Sequence, residues 1–212
     1  MVSLHRAVEF GGLAAAVIAV PGPSVMFTVS RALTCGRRTA LLTVIGNEAG
    51  LLLQVVAVAF GVGVVVERSA QIFTVIKLFG ACYLIYLGVQ SVRNRGSLAK
   101  AVAAKGVVLP PKRALRDGAI VGATNPKSIA FFVVVLPGFT DRASGGVVLQ
   151  LLLLGAIFPL VALVLDSIWA LAAGGASQWL SRSPRRLAAI GGTAGLVMIG
   201  LGLTVAASGR KD

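Results

Sequence analysis

Acidic charge is scarce in this chain. Its 212 residues hold only 7 Asp and Glu against 20 Lys and Arg, and charged residues of both signs make up 13%. Soluble domains carry about twice that share. There is one His, His5, and two Cys, Cys35 and Cys82. A lone His builds no zinc site, haem site or Ser-His-Asp triad, and two scattered Cys make no disulfide scaffold. Gly61-Val-Gly63 and Gly200-Leu-Gly202 lack the third glycine of a dinucleotide fingerprint and sit in apolar runs, where glycines serve helix packing. Neither an enzyme nor a cofactor is expected. No aromatic residues interleave with the basic ones to stack bases, so the formal charge of +13 does not point to nucleic acid.

Apolar residues are abundant, at 57%, with a mean hydropathy of +0.91 and 26 Gly. Six runs carry at most one charge each: Phe10–Ser30, Thr39–Val66, Ser69–Val92, Gly118–Thr140, Ala143–Ser181 and Leu187–Gly209. About 20 apolar residues cross the hydrocarbon core as a helix. The expected fold is an all-α integral membrane protein of six transmembrane helices. The fifth run is too long for one span, so its end from about Gly174 is expected at the interface, where Trp169 and Trp179 belong. The first run continues through Pro21 and Pro23 without a cleavage site and is read as a retained first helix.

The loops after the first, third and fifth runs hold 13 basic residues, and the other two hold Arg68 and Arg142 alone. The positive-inside rule puts the basic loops in the cytoplasm and both termini outside. Basic loops also suit a lipid-bilayer surface. The chain reads as one transport domain, 1–212. A basic linker, Asn94–Arg116, divides it into sets of three spans, 1–93 and 117–212. Three is odd, so the second set enters the membrane inverted. The stretches Leu78–Gly88 and Gly192–Gly202 echo one another, as do Gly22-Pro23-Ser24 and Asn125-Pro126-Lys127. Inverted repeats with paired helix breaks are a transporter architecture.

Those breaks are the most informative feature. Pro21-Gly22-Pro23 stands near the middle of the first run. Two prolines remove two helix hydrogen bonds. A half-helix starting at Ser24 would point free N–H groups and a positive dipole end inward, a seat for a carboxylate. Asn125-Pro126 repeats the device in the fourth run, and Asn125 can cap the half-helix that follows. A plain proline kink is the alternative for either break alone. Glu48, Lys127 and Asp166 lie inside apolar runs, where each charge costs about 2.5–3.5 kcal/mol on insertion scales. Lys77 stands near a span end, where it can snorkel. Asn47 adjoins Glu48 and shares a helix face with Gln54, a stripe that suits either helix–helix adhesion or a pore lining. Gly46 and Gly50 suit close helix packing. Lys127 is placed to meet a substrate carboxylate. Glu48 or Asp166 could meet an ammonium or carry an exchanged proton, with Glu48 favoured for its depth. A carboxylate paired with Lys127 in the empty state is the competing arrangement.

Several stretches resemble the LysE/RhtB amino-acid export translocators: Val20–Ser24, Ser30–Leu33 with Gly36-Arg37-Arg38, Lys77–Gly88, Thr124–Lys127 with Phe131-Phe132 and Leu136-Pro137, and Ile199–Gly202. The resemblance runs along nearly the whole chain in the family's order. It implies a bacterial cytoplasmic-membrane exporter of amino acids or close derivatives, driven by the proton gradient, with Pro21, Pro23, Asn125, Pro126 and Lys127 in the transport region. The chain departs from the family's common pattern at Ser24, at Gly138 and at the Asn47-Glu48 pair. The expected substrate-binding set is Pro21, Gly22, Pro23, Ser24, Asn47, Glu48, Asn125, Pro126, Lys127 and Asp166, with no metal. Small-residue helix faces also suit a homodimer. A channel or transporter for another small solute or ion, or a membrane scaffold, are the alternatives. A scaffold would need neither the breaks nor the buried charges.

Overall fold

The structure, a computed structural model, describes residues 2–68, 70–94, 96, 109–141, 143–176, 179 and 183–207. Most of the basic linker therefore lies outside the described residues, as do Arg142, Arg182 and the side chain of Lys77. The described residues are mostly helical, with no strand among them. The helices are α1 (Leu4–Ala19), α2 (Pro23–Cys35), α3 (Arg37–Arg68), α4 (Ala70–Arg93), α5 (Pro111–Thr124), α6 (Pro126–Val134), α7 (Val147–Gly175) and α8 (Pro184–Ala207), with a 3-10 turn at Leu136–Phe139.

Arg37–Gly61 and Val147–Gly175 are each long and apolar enough to cross a membrane. Two bent pairs qualify when each is taken as one broken span: α1 with α2, bent by 51°, and α5 with Pro126–Phe139, bent by 43°. Length and composition thus count two crossings among the described residues, or four with the broken spans, where the apolar runs predict six. The bends fall at Val20–Gly22 and at Asn125, as proline chemistry dictates. Pro23 and Pro126 each occupy the first turn of the following half-helix, where a missing N–H costs nothing. The second half of the first run begins at Pro23, one residue before the predicted start at Ser24.

The helices turn apolar side chains outward and polar ones inward. Leu53 is 63% exposed and Leu160 66%, whereas Asn47, Lys127 and Asp166 are each 6% exposed or less. A surface of that kind suits lipid rather than water. Helix backbones meet along glycine stripes. A side chain on Gly46 would strike the Leu115 carbonyl, and one on Gly50 the backbone of Ala119 and Ala123. From the other side, Gly118 and Gly122 press against the carbonyls of Thr43 and Asn47. So α3 and α5 lie backbone to backbone and parallel. Gly88 and Gly195 seat α4 against α8 in the same way, running antiparallel. Gly122→Val is expected to force α3 and α5 apart at a cost of about 1–3 kcal/mol or more. A lowered thermal midpoint of the detergent-purified protein would register this, and an unchanged midpoint would refute it.

Two ion pairs tie neighbouring elements together. Arg31, in the second half of α2, meets Asp117 midway along α5 at 3.1 Å. Arg6, at the start of α1, meets Asp141 before α7 at 3.3 Å. The Ser144 hydroxyl donates to Asp141, and with Arg6 and nearby backbone N–H groups holds that carboxyl below its ordinary range. Gln150 bonds the backbone at both Asp141 and Gly145, which fixes the turn into α7.

Candidate functional site

Breaking a helix in a lipid-facing bundle exposes carbonyls on one side of the break and N–H groups on the other. Here the two breaks face each other, and the second supplies donors to the first. Asn125 caps α6 by accepting from the Lys127 N–H at 3.0 Å, the role its sequence position predicts. Its Nδ2 donates to Ser24 Oγ at 2.7 Å, which joins the second break to the start of α2. Ser128 Oγ donates to the Asn125 carbonyl at 3.0 Å.

The carbonyl ends of α1 and α5 are each met by one buried side chain. Lys127 Nζ donates to the carbonyls of Val17 and Val20, both at 2.7 Å. Gln54 Nε2, from α3, reaches the carbonyls of Gly122, Ala123 and Asn125 at 2.7, 3.1 and 3.3 Å. Gln54 lies two helical turns beyond Gly46 and one beyond Gly50, so the glycine stripe lets α3 approach closely enough for that amide to reach α5. The expected site set omitted Gln54. Its signal was present in the four-residue spacing from the glycines.

A small cavity, with about 30 Å³ that a water molecule can reach, opens between the breaks. Gly22, Ser24, Asn47, Asn125, Lys127 and Asp166 line it, six of the ten expected site residues. Pro21, Pro23 and Pro126 shape the breaks without lining it, and neither does Glu48. Apolar walls come from Ile18, Leu51 and Phe158 among others, backed by the Phe10, Phe131, Phe132 and Phe158 ring cluster. Concave, mostly apolar space with a few converging polar groups is the character of a small-molecule site.

The two carboxylates differ in position. Asp166 is 3% exposed, faces the cavity and has an unpartnered Oδ1. Glu48 is buried beside Asn47, whose Nδ2 donates to Glu48 Oε1 at 3.1 Å, and its Oε2 has no partner. Among the described residues no ion pair joins Lys127 to either carboxylate. Its ammonium is spent on the carbonyl end of α1 instead. No group of three potential metal ligands occurs among the described residues.

The family model for the LysE type translocator matches residues 15–209. A homoserine/homoserine lactone efflux protein of Salmonella typhimurium is 28% identical over 188 residues, 89% of each chain. A leucine efflux protein of an Enterobacter strain is 25% identical over 194 residues, 90% of each chain. An uncharacterized membrane protein of Vibrio cholerae is 38% identical over 121 residues, 57% of this chain and 58% of its own. No solved structure matches.

Proposed function

Since the chain belongs to the LysE type translocator family, whose members are transporters rather than enzymes, we propose that it exports a small amino acid or related zwitterion across the bacterial cytoplasmic membrane, in exchange for protons. The observation that carries this reading is the cavity where two broken helices meet, lined by Ser24, Asn47, Asn125, Lys127 and Asp166. The half-helix starts of α2 and α6 suit a substrate carboxylate, because their N–H ends carry partial positive charge. Carbonyl ends and Asp166 suit an ammonium. Relatives named for homoserine and leucine efflux make small neutral amino acids the first substrates to try.

The architecture we infer has six spans as two inverted sets of three, residues 1–93 and 117–212 joined by a cytoplasmic linker. Several features support it. The two breaks sit in corresponding spans, the glycine-packed α4 and α8 are third in each set, and the ion pairs Arg31–Asp117 and Arg6–Asp141 link only residues that share a side under that topology. The basic loops favour a cytoplasmic side for Arg31 and Asp117 and an outside position for both termini. A reporter active only in the cytoplasm is expected to work in the linker and fail at the C-terminus. The reverse pattern would overturn this orientation.

The test of function is efflux from loaded proteoliposomes across a panel of amino acids, with and without a pH gradient. Export of at least one small neutral amino acid, accelerated when protons can flow inward, is expected. Vesicles that release none faster than protein-free controls would reject the reading.

A further inference from the structure

The cavity offers acceptor groups for two cations and holds one. The Val17 and Val20 carbonyls end α1, at the negative end of its dipole, and Lys127 Nζ binds both at 2.7 Å. An ammonium therefore fits there. Asp166, on α7 across the same cavity, is 3% exposed and keeps one oxygen without a donor. Gly22 leaves room for the lysine stem. A Cβ there would come within 2.7 Å of Lys127 Cδ and 3.3 Å of Nζ.

We propose that the carbonyl end of α1 is the seat for the substrate's amino group, that Lys127 occupies it as a tethered stand-in when no substrate is bound, and that Lys127 turns to Asp166 when a substrate displaces it. The proposal rests on the amine-bearing substrate inferred above. In the empty protein one ammonium serves the last carbonyls of α1, of which Val17 has only a long 3.3 Å bond from the Val20 N–H besides, in apolar surroundings where weakly paired acceptors are costly. In the loaded protein two ammonium groups meet two acceptor sites, and the Asp166 oxygen gains a partner. A carboxylic acid without an amino group cannot drive this exchange. The site would reject it because the displaced lysine would take its donor from the Val20 carbonyl and leave Val17 with the 3.3 Å bond from the Val20 N–H alone.

The test is binding of an exported amino acid from the panel to purified wild type and to Lys127→Met. A tethered competitor weakens apparent affinity by the fraction of time the seat is free. Lys127→Met is expected to bind on the order of tenfold tighter, as for a seat free about one-tenth of the time, while transporting more slowly. Equal, weaker or absent binding overturns the proposal, and loss is what a lysine serving the substrate carboxylate would give. Should Lys127→Met not be recovered folded, Lys127→Ala purified in methylammonium chloride carries the test. A saturable rise in its thermal midpoint that wild type lacks is expected, and failure of methylammonium to stabilise or recover it overturns the seat. A panel in which wild type exports no amino acid rejects the functional reading instead, and the methylammonium measurement still decides whether the seat takes an ammonium.

Discussion

Asp166→Asn is expected to abolish export driven by a pH gradient while leaving counterflow exchange of substrate partly intact. The substitution keeps the shape of the side chain and an acceptor oxygen on the cavity wall, so a cation can still be met there. What it removes is the ability to gain and lose a proton. Asp166 is 3% exposed with an unpartnered Oδ1. A buried carboxylate is tolerable only when neutralised, by a proton or by a cation. Lys127 on α6 is the cation able to do this from another helix, and the second carboxylate, Glu48 on α3, competes with Asp166 for the same proton. If Lys127 reaches Asp166 only when substrate is bound, substrate binding displaces a proton on one side and release restores it on the other. That is the order of events an antiporter needs. Net export measured against counterflow in the same proteoliposomes separates the two functions, and undiminished gradient-driven export by Asp166→Asn would remove it as the proton carrier.

Glu48 makes the useful contrast. Depth in the span favours it on sequence grounds, but depth along a helix says nothing about which way a residue faces. Glu48 turns beside Asn47, off the cavity wall, and Asp166 turns onto it. Glu48→Gln at equal membrane levels therefore tests whether the proton is held by one carboxylate or shared by both.

Much of this arrangement was legible in the sequence because it follows from local chemistry. Proline cannot donate a helix hydrogen bond, so Pro21, Pro23 and Pro126 announced the breaks. Asn before Pro is a capping pattern, and Asn125 caps. Glycines at a four-residue spacing in an apolar run signalled close packing, and Gly46 and Gly50 supply it. The partners were not legible. Which helix the glycines of α3 approach depends on how the spans assemble, and only that assembly puts Gln54 beside the carbonyl end of α5. Lys127 suffered the same limit. Its charge and its place after a break suggested a partner of opposite sign, either the substrate carboxylate or a buried Glu or Asp. The geometry gives it neutral carbonyls instead, because a helix broken in an apolar interior must satisfy its own last carbonyls before anything else.

Gln54→Met should destabilise the protein and loosen the site. Methionine fills nearly the same volume, so it leaves no cavity, and it is a good helix former. What is lost is hydrogen bonding: the amide donates to the carbonyls of Gly122, Ala123 and Asn125 at 2.7–3.3 Å. The Gly122 carbonyl keeps the Asn125 N–H, and the Asn125 carbonyl keeps Ser128 and the Ile129 N–H. The Ala123 carbonyl loses the donor that Gln54 supplies. Each buried acceptor left alone costs about 1–3 kcal/mol. Little water reaches this depth to replace the donor, so the losses are not softened as they would be in a soluble protein. The damage should spread along a defined route. The Asn125 carbonyl also accepts from Ser128, and the Asn125 side chain bridges to Ser24 and caps α6. A loosened Asn125 turn therefore releases both half-helix starts that face the cavity. Two measurements follow. The thermal midpoint of purified Gln54→Met should fall well below that of wild type. At equal membrane levels, the substrate concentration giving half-maximal efflux should rise, since the seat for the carboxylate is no longer held in place. A variant with a lowered midpoint but an unchanged half-maximal concentration would make Gln54 a structural cap alone. A variant unchanged in both would mean that the carbonyl end of α5 finds its donors elsewhere.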